Sequence, residues 1–126
     1  MYTLKDCANI VDSEVKSFDT EAELLKEWAK LIMQCDPDII LGYNIINFDF
    51  PYLIQRANHL GVKEFKQLGR IYGTDTKLKN GKYLSKAMGM RETKEINLEG
   101  RVQLDMLMHM HREHKLSSYT LNNVSF

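Results

Sequence analysis

The segment Gly42-Tyr43-Asn44-Ile45-Ile46-Asn47-Phe48-Asp49-Phe50-Pro51 holds the residues of this 126-residue chain best suited to chemistry. Asp49 supplies a carboxylate, Asn44 an amide that both donates and accepts, and Phe48 an aromatic face beside the carboxylate. The apolar run Ile39-Ile40-Leu41 comes before them and Pro51 follows, so Asp49 should stand at a strand-to-helix junction. A carboxylate at or just before a helix N-terminus meets free amides and the positive end of the dipole, which favour its ionised form. Such a group is a hard oxygen ligand suited to Mg²⁺ or Mn²⁺, and Phe48 offers a surface for a base or sugar. On residue types alone two alternatives stay open. An aspartate before a helix is more often a structural cap than a ligand, and an aromatic next to it is more often core than a stacking platform.

The elements that must position these groups are partly legible. The first eighteen residues read as extended, with Tyr2, Leu4, Ile10, Val11 and Val15 as apolar contributions. Thr20 and Glu23 have capping-box spacing, and Leu24, Leu25, Trp28, Leu31 and Ile32 follow as one buried helical face. Asp36-Pro37 should end that helix, because proline disfavours helical geometry in the residue before it. Asp38 to Asn44 has the look of a buried strand. A second helix should begin near Pro51, keep Leu53, Ile54, Ala57 and Leu60 on one face, and stop at Gly61. Residues 62–100 are less patterned, and Asn80-Gly81 has the composition of a two-residue hairpin turn. Val102 to Asp105 reads as a strand and Met106 to His114 as a helix, with Asp105 as its structural cap. Ser117 or Ser118 should cap a last helix that runs on towards Phe126 without a stop signal, so the chain is expected to be a piece of a longer one.

Composition bounds the function. Seventeen lysines and arginines balance seventeen aspartates and glutamates, so binding to nucleic acid by bulk charge is excluded and any contact must be local. Cys7 and Cys35 are two lone thiols and fit a reducing compartment better than a disulfide framework. No apolar run approaches a membrane span, and Met1 to Asp6 lacks the apolar stretch of a signal peptide. The Asn123-Val124-Ser125 triplet is accordingly read as chance rather than as a glycosylation site.

Asn44, Phe48 and Asp49 meet the pattern asparagine, three residues, phenylalanine-aspartate, and the segment resembles the second exonuclease motif of B-family DNA polymerases. Two further blocks, Gly100 to Leu107 and Lys115 to Ser125, look like the next landmarks of that family, and Asp36-Pro37-Asp38-Ile39-Ile40 also matches. The resemblance thins between residues 70 and 95. It implies an α/β, ribonuclease H-like fold, a mixed sheet flanked by helices. Residues 1–126 would be an incomplete 3′→5′ exonuclease domain of a replicative polymerase. It implies hydrolysis of the terminal phosphodiester of a frayed or mispaired primer by two divalent ions, Mg²⁺ or Mn²⁺. Asp49 is then a catalytic metal ligand, and Asn44 and Phe48 hold the primer end. The implied partners are primer–template DNA with a single-stranded 3′ end, accessory polymerase subunits and a sliding clamp, with no membrane, in the nucleus.

The family's other carboxylate motifs have no match here. Asp12-Ser13-Glu14 fits the aspartate-x-glutamate triplet but precedes a polar stretch instead of lying in an apolar strand, and is read as non-catalytic. Tyr119 has Asn123 where the third motif requires aspartate. The fragment alone is therefore expected to be inactive. The rival possibilities are a fragment of a viral, herpesvirus-like B-family polymerase and a non-catalytic DNA-binding or structural remnant of the fold. Lys77, Lys79, Lys82, Lys86, Arg91 and Lys94 suggest either a phosphate-tracking hairpin or, as the favoured alternative, a solvated loop face. His109, His111 and His114 lack the spacing that would place three imidazoles on one helix face and are read as surface residues.

Overall fold

The computed structural model describes residues 1–85 and 89–125. Its elements run β1 (Tyr2–Leu4), β2 (Lys16–Phe18), α1 (Glu21–Cys35), β3 (Ile39–Gly42), a π turn (Ile45–Asp49), α2 (Phe50–His59), a 3₁₀ helix (Lys63–Gln67), β4 (Leu78–Ser85), β5 (Gly89–Ile96), β6 (Val102–Asp105), α3 (Met106–Glu113) and α4 (Leu121–Val124). The class is mixed α/β, as expected. The described strands form three two-stranded sheets instead of one mixed sheet: β1–β2 and β3–β6 are parallel, β4–β5 antiparallel. A single sheet would need further strands along the free edges of β3 or β6, and the described residues place none there.

Helix α1 begins where its cap requires. Thr20 is extended and its Oγ1 accepts the Glu23 N–H at 3.3 Å. Leu25 and Ala29 are buried, and Leu24 and Trp28 pack against them. The apolar stripe is narrower than its spacing suggested, because Leu31 turns towards a shallow cavity shared with Met1, Tyr2, Glu14 and Lys16. Asp36 closes the helix in the left-handed region at φ 44°, donating its N–H to Ile32 O. Its carboxylate accepts from Arg70 Nε at 2.7 Å and Arg101 Nη1 at 2.8 Å. The buried Arg101 also donates to Leu68 O and Pro37 O, so one guanidinium ties the end of α1 to the chain entering β6.

Helix α2 takes Pro51 in its first turn and buries Phe50, Pro51, Ile54 and Ala57. It ends on Gly61 at φ 70°, with Gly61 N–H to Asn58 O and Val62 N–H to Ala57 O at 2.8 Å, the paired bonds of a Schellman motif. The core joins α1, α2 and the 3₁₀ helix to Leu68, Ile96 and Leu98, with Trp28 stacked on Phe65 at 5.4 Å between ring centroids.

Three expectations need correction. Asn80 and Gly81 are not a turn but lie within β4, opposite Lys94 and Thr93. The ladder runs on to Ser85↔Gly89, and its connection, residues 86–88, falls outside the described residues. The longer ladder pairs Leu78 with the buried Ile96 and sets Lys79 opposite Glu95, both lost with a turn at Asn80-Gly81. The segment around β3 is not a fully buried strand. Ile39↔Val102 and Leu41↔Leu104 share one face of the β3–β6 pair and are 52, 59, 64 and 42% exposed. Only the opposite face is covered, where Ile40 packs on the core and Gln103 Nε2 donates to Ile96 O. Lastly, α4 starts after Thr120, not at Ser117 or Ser118. Ser118 Oγ accepts the Thr120 N–H ahead of the helix, and Phe126 lies outside the described residues. Among the described residues no helix is long and apolar enough to cross a membrane.

Candidate active site

Strand β3 delivers the chain into a tight corner. Gly42 is the register partner of Asp105, and a Cβ added to Gly42 would stand 2.4 Å from Ile45 Cγ2, so only glycine lets strand and turn approach this closely. Asn44 adopts the left-handed region at φ 61° and the π turn starts from it. Phe48 N–H donates to Asn44 O at 3.0 Å and Phe50 N–H to Ile45 O, so helical bonding is already under way before Asp49. The expectation of Asp49 facing free amides at a helix N-terminus is therefore corrected: the π turn runs into α2 without a break, and Asp49 lies a turn inside.

The anion that does meet the free amides is Asp105. Its Oδ1 accepts from Asn44 N–H at 2.8 Å and from Leu107 N–H at 3.0 Å, and its Oδ2 accepts from Ile46 N–H at 3.2 Å. The side chain is buried. The expected cap of α3 is present. The sequence reasoning missed the two bonds to the turn, for which a carboxylate at a strand end was the only signal.

The predicted site residues Asn44, Phe48 and Asp49 come together on this one corner. The Asp49 side chain is exposed and makes no hydrogen bond or ion pair with any described residue, so the capping alternative is not realised. Phe48 is 66% exposed and thus not core, and Tyr52, one turn on, is exposed as well. The backbone of Asn44 is engaged on both sides, while its half-buried side chain caps nothing. Lys94 of β5 donates its Nζ to Asn47 O at 3.3 Å, which brings one cation of the basic series beside the turn. Lys77 pairs with Asp75 at 3.8 Å, and Lys86 lies outside the described residues.

Asp49 offers one hard, solvent-open oxygen donor, which fits a single ligand position for Mg²⁺ or Mn²⁺. No group of three or more metal-binding side chains occurs among the described residues, so Asp49 holds no complete set here. Asp12-Ser13-Glu14 lies at an exposed turn, with Asp12 at φ 60° and Glu14 paired to Lys16 at 3.1 Å. His109, His111 and His114 are exposed, and His111 stacks on Tyr119 at 3.7 Å between centroids.

The three sequence blocks meet physically. Asn44 of the first is bonded to Asp105 of the second, and Tyr43 Oη of the first donates to Tyr119 O of the third at 2.5 Å. Tyr119 Oη in turn donates to His114 O at 2.7 Å and accepts the Leu116 N–H, fastening the end of α3.

Residues 1–124 match the family described as DNA polymerase family B, exonuclease domain. The three blocks are worded most like the delta catalytic subunit, and relatives of that name agree with them. The chain is similar to the DNA polymerase delta catalytic subunit of Arabidopsis thaliana, 52% identical over 123 residues, covering 98% of this chain and 11% of the relative. That of Dictyostelium discoideum is 50% identical over 125 residues, covering 99% and 11%. That of Drosophila melanogaster is 48% identical over 126 residues, covering 100% and 12%. The chain thus spans 11–12% of the length of these relatives.

Proposed function

The chain belongs to the exonuclease domain of family B DNA polymerases, and from that premise we propose that it is part of a proofreading 3′→5′ exonuclease within a replicative DNA polymerase of the delta type. The observation that carries the proposal is the contrast across the corner. The turn is bonded from behind through Asn44 and Ile46, while the Asp49 carboxylate beyond them engages no described residue and the Phe48 ring stands exposed. In this scheme β3 and β6 are neighbouring strands of a ribonuclease H-like sheet completed by other parts of the longer protein, and residues 1–126 are a partial domain.

Phe48 packs against the terminal base or sugar of a single-stranded 3′ end, a contact worth about 1–3 kcal/mol per base. Asn44 holds the same end through an amide that donates to phosphate or sugar oxygens and accepts from a hydroxyl. Asp49 is a catalytic ligand for divalent metal, Mg²⁺ or Mn²⁺, with two ions in the complete site. Bound there, the ions would activate water and stabilise charge on the attacking and leaving oxygens. The 126-residue chain alone is inactive, because Asp49 is the only member of the ligand set that it carries. Primer–template DNA is the substrate, accessory polymerase subunits and a sliding clamp are the partners, and the nucleus is the location.

The test is Asp49→Ala in the full-length polymerase, assayed on a mispaired primer. Metal-assisted charge stabilisation is worth several kcal/mol, so hydrolysis should fall on the order of a hundredfold or more while polymerisation is retained. Unimpaired hydrolysis, or equal loss of both activities, would remove Asp49 from the role.

A further inference from the structure

We propose that Asp105 is a positioning residue for the site: its carboxylate fixes the π turn that carries Phe48 and Asp49, besides capping α3. The inference rests on the metal-ligand role proposed above for Asp49. The register Gly42↔Asp105 sets the carboxylate beside the end of β3, where Asn44 and Ile46 turn their N–H groups to the same side. Successive amides that converge next to a left-handed residue form an anion-binding concavity. Here that concavity is filled by the protein's own carboxylate, so it is closed to a substrate phosphate and serves to hold the turn. Few other bonds fasten this stretch. The Asn44 side chain caps nothing and the Asp49 carboxylate has no partner, which leaves, among the described residues, the internal turn bonds and the exposed contact from Lys94 to Asn47 O.

The oxygens divide the labour in a way that mutation can separate. Oδ1 serves Asn44 and Leu107, whereas Oδ2 serves Ile46 alone. Asp105→Asn can keep both Oδ1 bonds but sets an NH₂ against the Ile46 N–H. Asp105→Ser retains a helix cap for α3 and loses both bonds to the turn.

Both variants are made in the full-length polymerase, beside Asp49→Ala and Thr20→Ala, the last losing a helix cap outside the site. Hydrolysis of a single-stranded 3′ end and calorimetric Mn²⁺ binding are measured on each, with Asp49→Ala as the blank that defines this metal site. Residues behind a metal ligand typically change affinity or activity by roughly 10- to 100-fold. Loss within that range is expected for both rate and Mn²⁺ affinity, larger for Asp105→Ser than for Asp105→Asn. Raised Mn²⁺ should partly restore hydrolysis in the Asp105 variants and not in Asp49→Ala, and Thr20→Ala should keep the wild-type rate and affinity. Wild-type rate and affinity in both Asp105 variants, with Asp49→Ala inactive, would reduce Asp105 to a helix cap. An equal loss in Thr20→Ala would trace the effect to stability and also overturn the proposal. Hydrolysis surviving in Asp49→Ala would instead overturn the function proposed for the site, and the positioning role with it.

Discussion

The helical layer and the β3–β6 end of the molecule follow opposite rules. In the helical layer Leu25, Ala29, Phe50, Ile54, Ala57 and Phe65 are all covered by other residues of the same chain. The β3–β6 pair is covered on one face only, and leaves Ile39, Leu41, Val102 and Leu104 bare on the other. A helix needs cover for one stripe, which a neighbouring helix supplies, whereas a sheet has two faces and needs two layers. Carboxylates differ in how far the chain satisfies them. Asp36 meets two guanidinium groups and Asp105 three amides, while the Asp49 carboxylate meets no described residue. Asp36 and Asp105 are satisfied within the chain and tie its elements together, whereas the Asp49 carboxylate and the bare β3–β6 face stand open to solvent.

The contrast can be broken most directly in the core. Phe65→Ala should cost about 3–5 kcal/mol, against less than about 0.5 kcal/mol for Leu41→Ala on the bare face, both read from urea denaturation of the 126-residue chain. Comparable losses would show that the β3–β6 face is covered after all. Next in size is Gly42→Ala, where the new methyl group meets Ile45 Cγ2. Overpacking of this kind costs about 1–3 kcal/mol, and because Ile45 opens the π turn, hydrolysis by the full-length enzyme should fall as well. A stability loss with an unchanged rate would mean that the corner yields without moving Asp49.

The smallest effect concerns pH. Hydrogen bonds from Arg70 and then Arg101 hold the Asp36 carboxyl below the usual aspartate range, and Arg56 does the same for Glu21. Groups depressed in the folded state take up protons more readily when the chain unfolds, so acid favours unfolding. Their contribution is complete above the ordinary carboxylate values of about 3.9 and 4.3, and is lost as pH falls through the lowered folded values. Asp36→Asn should flatten that part of the acid dependence of the denaturation midpoint, and an unchanged slope would assign the dependence to other groups.

What could be read in advance depended on how far each signal reaches along the chain. Thr20 announced α1, Pro51 and Gly61 bracketed α2, and Val102 to Glu113 was legible as strand then helix, because caps and breakers act within a turn or so of where they stand. The hairpin misled because Asn80-Gly81 tolerates a turn without compelling one, and the pairing of Leu78 with Ile96 decided the register. At the candidate site, Asn44, Phe48 and Asp49 owe the roles proposed for them to resemblance alone. The bonds from Asn44 and Ile46 to Asp105 span 61 and 59 residues and exist only once β3 and β6 have paired, so no local pattern could announce them.

Trp28 is the only tryptophan of the chain, and its ring lies on Phe65 inside the helical layer, with an interplanar angle of 20°. The molecule therefore carries an optical probe confined to one of its two regions. Emission excited beyond tyrosine absorption follows the helical layer and is blind to the corner, where the aromatic reporters are Tyr43 and Tyr119. A melting curve from that emission, laid over one from far-ultraviolet dichroism, separates a chain that unfolds as one cooperative unit from one whose β3–β6 end lets go first.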